Sequence, residues 1–248
     1  MKIMIITVAG VASRFSQSVS KPCLKCIYYK NNIKESLLYH ILYQNSFVDK
    51  FVIVGGFKFD ELKQIIHTQF QEFQDRIILI ENEHYKEYGS GYSLYLGLNA
   101  IKNFTYDDLV FAEGDLWVDD DSFNHIWKTT KNVVTYTNEI ILANKSVAFY
   151  FDCQYHIHYI FDTAHSILEI KEPFLGIFNS GQIWKFSNQK QIATAMDCLT
   201  LEDWAQTNLK FIQQYFGDLS QDEYSIIELK QWVNCNTIDD FEKIERLR

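Results

Sequence analysis

Proline is nearly missing: Pro22 and Pro173 are the only two in 248 residues, so no Pro-rich linker or disordered tail is legible and the chain reads as compact throughout. Positive charge is also in deficit. There are 23 Lys and Arg against 32 Asp and Glu, a net charge of −9, which argues against a protein whose main work is coating nucleic acid or an anionic membrane. A small anionic substrate stays open, because a few cations focused in one cleft suffice to hold it. Long apolar runs are lacking as well. Met1 to Ala9 is too short for a signal-peptide core with its cleavage site, and no later run approaches a membrane span. The expectation is a cytoplasmic protein with no membrane insertion and no nucleic-acid partner. The five cysteines, an odd number, do not suggest a disulfide framework. Cys23-Leu24-Lys25-Cys26 has CxxC spacing but no second CxxC or HxxxH to complete a zinc site, and His156-Ile157-His158 falls on an alternating stretch where a structural or surface role outweighs a metal one.

Glycine is sparse where a nucleotide loop would need it. After the apolar run "MIITV" the chain reads Ala9-Gly10-Val11-Ala12-Ser13-Arg14-Phe15, with Lys21-Pro22 following. A dinucleotide fingerprint requires G-x-G-x-x-G, of which only Gly10 is supplied, and a Walker A loop requires a second glycine where Phe15 stands. Hydride transfer and P-loop ATPase chemistry are both disfavoured. Taken alone, the loop fits a phosphate cradle and a plain turn equally well.

What is present is an orderly alternation. "KIMIITV", "FVIVGG", "RIILIEN" and "DLVFAEGD" read as buried strands, separated by helical spacing in "ESLLYHILYQN", "FDELKQIIHTQFQEF" and "GYSLYLGLNAI". Strand and helix in turn predict a mostly parallel sheet with right-handed crossovers, whose ligands collect at the carboxyl ends of the strands. From Asn132 the pattern changes to "NVVTYTN", "SVAFYFD", "YHIHYIF" and "SILEI", an antiparallel or mixed extension. "GQIWKF", two helical stretches between Gln189 and Phe216, the short strand "QWVNC" and a final helix complete it. The expected organisation is one domain over 1–248 in two lobes, 1–131 and 132–248, the second ending in the C-terminal helix.

The loop resembles that of the sugar-phosphate and aminoalcohol-phosphate nucleotidyltransferases, A-G-x-G-x-R-F/L followed by K-P, with Ala12 in place of the second glycine. The resemblance runs along nearly the whole chain and implies their α/β, Rossmann-like (GT-A-like) fold, with helices on both faces of the sheet. It makes Val8, Ala9, Gly10, Val11, Ala12 and Ser13 the triphosphate loop, whose backbone N–H groups reach phosphate oxygens. Arg14 and Lys21 become the catalytic cations, a forked clamp on the leaving pyrophosphate and a point charge by the α-phosphate. Whether Lys25 shares the work of Lys21 is open.

Further segments match in order. Gly55 ends a strand that ends in glycine in the family, and "YGSGYSLYLGLNAI" resembles its nucleobase segment, assigning Gly89, Ser90, Gly91 and Ser93 to the base. "LVFAEGD" places Asp115 at the family's Mg²⁺-binding acid, with Glu113 as the first of the pair. The Asp119-Asp120-Asp121 run reads instead as a capped helix start. "KEPFLGIFNSGQIWKF" resembles the acceptor segment, giving Glu172 and Asn179. "WVNCNTIDDFEKIERL" resembles the carboxy-terminal strand and helix, where Asn236 stands at the second metal-binding Asp and Thr237-x-x-Asp240 forms a capping box. Within the family the chain is similar to CTP-dependent cytidylyltransferases of bacterial surface-polymer synthesis, those acting on phosphocholine and, more closely, on phosphoglutamine for capsule phosphoramidate. The resemblance thus implies CTP, Mg²⁺ and a phosphorylated small non-sugar acceptor. A sugar-1-phosphate enzyme and a nucleotide-binding regulatory protein are the alternatives, and a homodimer is compatible with all three.

Overall fold

The structure, a computed structural model, describes residues 1–161 and 167–248. The elements follow in chain order. The first part comprises β1 (Lys2–Val8), α1 (Ser13–Ser18), α2 (Leu37–Gln44), β2 (Lys50–Gly55), α3 (Phe59–Gln69), β3 (Ile77–Glu81), α4 (Ser90–Ala100), β4 (Asp108–Glu113), β5 (Leu116–Val118) and α5 (Asp120–Lys128). The second comprises β6 (Asn132–Thr137), β7 (Ala148–Asp152), β8 (Ile157–Ile160), β9 (Phe174–Phe186), α6 (Gln189–Asp197), α7 (Leu201–Trp204), α8 (Leu209–Phe216), β10 (Tyr224–Glu228), β11 (Trp232–Asn234) and α9 (Ile238–Leu247).

One sheet runs β10-β6-β9-β4-β1-β2-β3, and of these strands β9 alone is antiparallel to its neighbours. The β7–β8 hairpin is attached to β9. This is the α/β architecture expected, and the sheet draws strands from both sides of Asn132. The strands are apolar on both faces because helices cover both. Along β1, Met4, Ile6 and Val8 enter one core with residues of α2, α3 and α5, while Ile3 and Ile5 enter the other with residues of α4, α6 and α8. A third, smaller cluster joins Phe15 of α1, Trp117 of β5, Val233 of β11 and Phe241 and Ile244 of α9. That cluster draws the carboxy-terminal helix toward the loop after β1.

Several elements differ from their expected form. Ser13–Ser18 is a helix of six residues with only Phe15 buried, too short to show a periodicity. The strand expected over "GQIWKF" extends back to Phe174, bends at a register shift opposite Val134/Tyr136, and carries Gln182 at φ 57°. Three helices, not two, occupy 189–216. The edge strand β10 and the short β5 were not expected. In "SILEI", residues 167–170 form no strand and Ser166 lies outside the described residues.

Candidate active site

β1 and β4 are adjacent and parallel, with Thr7 paired to Glu113, so the loop leaving β1 and the acids leaving β4 emerge side by side. They form one side of a cleft of about 320 Å³, built from Thr7, Val8, Ala9, Gly10 and Ala12 and from Glu113, Gly114 and Asp115. Gly114 permits this closeness: its N–H donates to the Thr7 carbonyl at 2.9 Å, and a Cβ there would lie 2.2 Å from Val8. Opposite stand Asn82, Tyr85, Tyr88, Gly89, Ser90 and Ser93, with Lys25 and Cys26 completing the lining. Burial pushes the Cys26 thiol up to about 12, so it is no nucleophile.

The loop has the form an anion cradle needs. Ala12 precedes α1 in the left-handed region, φ 51° and ψ 42°, and Gly10 has open space where a Cβ would be. Among the described residues no hydrogen bond takes up the N–H groups of Gly10, Val11 or Ala12. Val11 and Ser13 are exposed and lie outside the lining.

Four polar side chains converge beside this loop. The Lys25 ammonium lies 2.8 Å from Asp115 Oδ2 and 3.4 Å from Asn236 Oδ1, and Arg14 Nη2 donates to Asn236 Oδ1 at 3.0 Å. Asn236 arrives through the pairing of β11 with β5, where the Cys235 N–H donates to the Asp115 carbonyl at 2.9 Å. The α9 cap then holds it. Thr237 and Asp240 form a reciprocal capping box, and Asp240 Oδ2 also accepts the Asn236 N–H at 2.9 Å. Asp115 Oδ1 is buried with no hydrogen-bond partner among the described residues. Glu113 keeps a partly exposed edge at the cleft, but its carboxyl is hemmed in by protein. Desolvation, then the charge of Asp115, pushes it up to about 7 against the opposing hydrogen bond from Asn208 Nδ2 at 2.7 Å.

Other expected residues sit elsewhere. Lys21 is exposed, outside the lining, and its ammonium has no hydrogen bond or ion pair among the described residues. Gly55 does not line the cleft; a Cβ there would meet Leu62 at 2.7 Å and Phe59 at 2.9 Å, so it serves the packing of α3 on β2. Gly91 also lies outside the lining, its N–H donating to the Gln206 carbonyl, and a Cβ would approach the Trp204 carbonyl to 2.6 Å. Glu172 is exposed and accepts from the Tyr150 hydroxyl at 2.7 Å, whereas Asn179 is buried within β9; neither lines the cleft. Asp119 caps α5. His156 and His158 both bond Asp152 Oδ2, at 3.1 and 3.0 Å.

Lys25, Asn82 and Asn208 carry more of the site than the sequence suggested. Asn82 donates to Ser93 Oγ at 2.9 Å and closes a turn onto the His84 N–H, which fixes the start of the wall formed by Tyr85 and Tyr88. An Asn directly after a strand is the one signal available for it. Asn208 has none, since its contact with Glu113 spans 95 residues.

Solved structures share this architecture. A Bacillus anthracis protein assigned as a glucose-1-phosphate thymidylyltransferase, in complex with a sucrose, matches with a TM-score of 0.74 at 15% identity over 100% of this chain and 95% of its own. The inositol-1-phosphate CTP transferase from T. maritima matches at 0.68 and 13% identity, over 100% of this chain and 96% of its own. CTP:phosphocholine cytidylyltransferase from Streptococcus pneumoniae matches at 0.63 and 13%, over 99% and 98%. At such identities the likeness is one of fold. No curated protein sequence matches. The family model described as "Domain of unknown function (DUF6564)" matches residues 21–248, which include Lys25, Asp115, Asn208 and Asn236, and the chain belongs to that family.

Proposed function

We propose that the chain is a cytidylyltransferase that transfers CMP from CTP to a phosphorylated small non-sugar acceptor of the phosphoglutamine type, releasing pyrophosphate, in capsule or surface-polymer modification. The observation that carries the nucleotidyl-transfer reading is the convergence of Arg14, Lys25, Asp115 and Asn236 beside a loop with unused N–H groups, at the carboxyl ends of β1 and β4. The similar folds include an inositol-1-phosphate CTP transferase and a CTP:phosphocholine cytidylyltransferase, which supports the choice of nucleotide.

An acceptor phosphate oxygen attacks the α-phosphorus in line; the new O–P bond forms as the bond to the bridging oxygen of pyrophosphate breaks. A phosphate nucleophile is ionised at neutral pH, so no general base is needed. The N–H groups of Gly10 to Ala12 cradle the phosphates. Arg14 and Lys25 balance the charge that passes to the leaving group, and in this reading Lys21, on the exposed turn after α1, joins them when the triphosphate is bound. Asn82, Ser93 and the backbone of Gly89 and Ser90 form the wall for the base.

No group of three or more His, Cys, Asp or Glu among the described residues makes a metal site by itself, but Mg²⁺ beside a triphosphate needs only one or two protein ligands. Asp115 Oδ1 is a buried oxygen without a donor, and with Asn236 Oδ1 it makes an oxygen set suited to a hard cation that takes its other ligands from phosphate and water. Asp115 and Asn236 would hold the ion, which supplies charge neutralisation on the phosphates when bound.

The test is direct: incubate the protein with each of the four triphosphates, Mg²⁺ and a panel of phosphorylated acceptors, and measure pyrophosphate. Release with CTP and a phosphoglutamine-type acceptor is expected. Release only with sugar 1-phosphates would establish the second reading, favoured by the thymidylyltransferase likeness. No release with any pair, despite nucleotide binding, would overturn both. Asp115→Asn and Lys21→Ala should each lower turnover by about 100-fold or more while the fold is kept.

A further inference from the structure

The seat beside Asp115 is completed by the neutral amide of Asn236, both within reach of one lysine. Into that seat the protein itself sends a cation. Lys25 Nζ lies between Asp115 Oδ2 at 2.8 Å and Asn236 Oδ1 at 3.4 Å. Each of the three groups is anchored independently. Lys25 opens a 3-10 turn pinned by the buried Leu24, Cys26 and Ile27, and its side chain is only 14% exposed. Asp115 is tied through its carbonyl to the Cys235 N–H. The Asn236 amide donates to Asn234 Oδ1 at 2.8 Å, which turns its own oxygen toward Lys25 and Arg14.

We propose that the Lys25 ammonium is a resident cation in the divalent-ion seat of Asp115 and Asn236, and that it leaves only when a triphosphate draws it away, so that metal binding depends on nucleotide. The proposal rests on the reading of the cleft as a metal–triphosphate site. A divalent ion entering the empty cleft meets a positive charge already paired with its main ligand. Once a triphosphate is bound, the flexible lysine stem can carry its point charge to phosphate oxygens and expose both Asp115 oxygens. Coupling of this kind is reciprocal: the nucleotide tightens metal binding by the same factor that the metal tightens nucleotide binding. The neutral amide of Asn236 and the placing of Lys25 are two halves of one charge balance.

The experiment uses Mn²⁺ as the probe, without nucleotide, titrated by electron paramagnetic resonance against the full chain. Wild type and Lys25→Arg should bind Mn²⁺ weakly. Lys25→Met and Lys25→Gln should bind it at least about tenfold more tightly, show a larger rise in melting temperature with Mn²⁺, and lose both effects when Asp115→Asn is added. Equal Mn²⁺ affinity in wild type and a folded Lys25→Met or Lys25→Gln protein would overturn the proposal. Crystals of wild type soaked in Mn²⁺ serve if neither neutral variant folds: an anomalous peak between Asp115 and Asn236 in nucleotide-free protein would also overturn it, and a peak that arises only with CTP supports it. None of these readouts involves turnover. A chain inactive on every acceptor leaves this result standing, and an active chain with equal Mn²⁺ affinities would sink this inference alone.

Discussion

At the scale of single residues, the loop after β1 and the acids after β4 are each held in a costly state. Ala12 adopts φ 51°, a left-handed conformation that costs an L residue about 1–2 kcal/mol. Glycine removes that cost and returns about 0.4–1 kcal/mol through the freer unfolded chain. Ala12→Gly should therefore raise the unfolding free energy by up to about 1 kcal/mol, and Ala12→Val, with a branched Cβ, should lower it by about 1 kcal/mol or more. Denaturant midpoints of the three proteins check both. Glu113 supplies a pH test. Its carboxyl, at 4.5 when unperturbed, is pushed up to about 7 in the fold by burial and by Asp115. Between those values the unfolded chain has released the proton that the folded chain keeps, so stability falls as pH rises from about 4.5 to about 7 and levels off above. Glu113→Gln keeps an acceptor for Asn208 and removes the slope. The stability of wild type relative to this variant should fall by about 1–3 kcal/mol between pH 5 and 7.5, measured by denaturant unfolding across that range.

At the scale of elements, the start of α4 is joined to the turn before α8. The Gly89 N–H donates to the Ala205 carbonyl at 2.7 Å, and a Cβ on Gly89 would fall 2.2 Å from the Gln206 carbonyl oxygen. The obstacle is backbone, so the turn cannot yield as a side chain would. Gly89→Ala should cost about 1–3 kcal/mol and, because Gly89 and Ser90 form part of the cleft wall, raise KM for the nucleotide more than it lowers kcat. Unfolding curves and steady-state kinetics on the same preparation separate the two effects. The glycines of "YGSGYSLYL" are thus legible as glycines for close approach, but the sequence could not say what approaches. Their partner is the 204–207 turn, more than 100 residues away, and only Gly89 of the two reaches the cleft.

At the scale of the whole molecule, a net charge of −9 opposes the approach of a triphosphate, and on the proposed reading Arg14, Lys21 and Lys25 offset it at the cleft. If the cleft takes a nucleotide as proposed, its binding should weaken as salt rises. The cleft lies between the loop of β1, the acids of β4, the start of α4 and the strand–helix corner before α9, so a bound nucleotide bridges segments from both sides of Asn132. CTP at about 100 times its Kd adds about 2.7 kcal/mol to unfolding, worth roughly 5–10 °C in Tm for a chain of this size. That rise should be seen in a thermal shift with CTP and Mg²⁺ and should be smaller with ATP; no shift with any triphosphate would remove the cleft as a nucleotide site.

The sequence by itself determined the sheet and its ends. The central runs "IMII" and "LVFA" are apolar at every position, which a strand covered on both faces accommodates, and Arg14, Asp115 and Asn236 stand at fixed offsets from strand ends, where side chains cannot wander far. The tertiary structure decided which cation meets the acid. Lys21 and Lys25 lie four residues apart in one irregular segment without a periodicity to rank them, and the burial of Leu24, Cys26 and Ile27 is what holds Lys25 inward while Lys21 stays exposed. It likewise decided that Gly55 and Gly91 serve packing, and that Asn208 supports Glu113. Each of these depends on atoms brought close from distant parts of the chain, and residue type and local spacing carry no record of such neighbours.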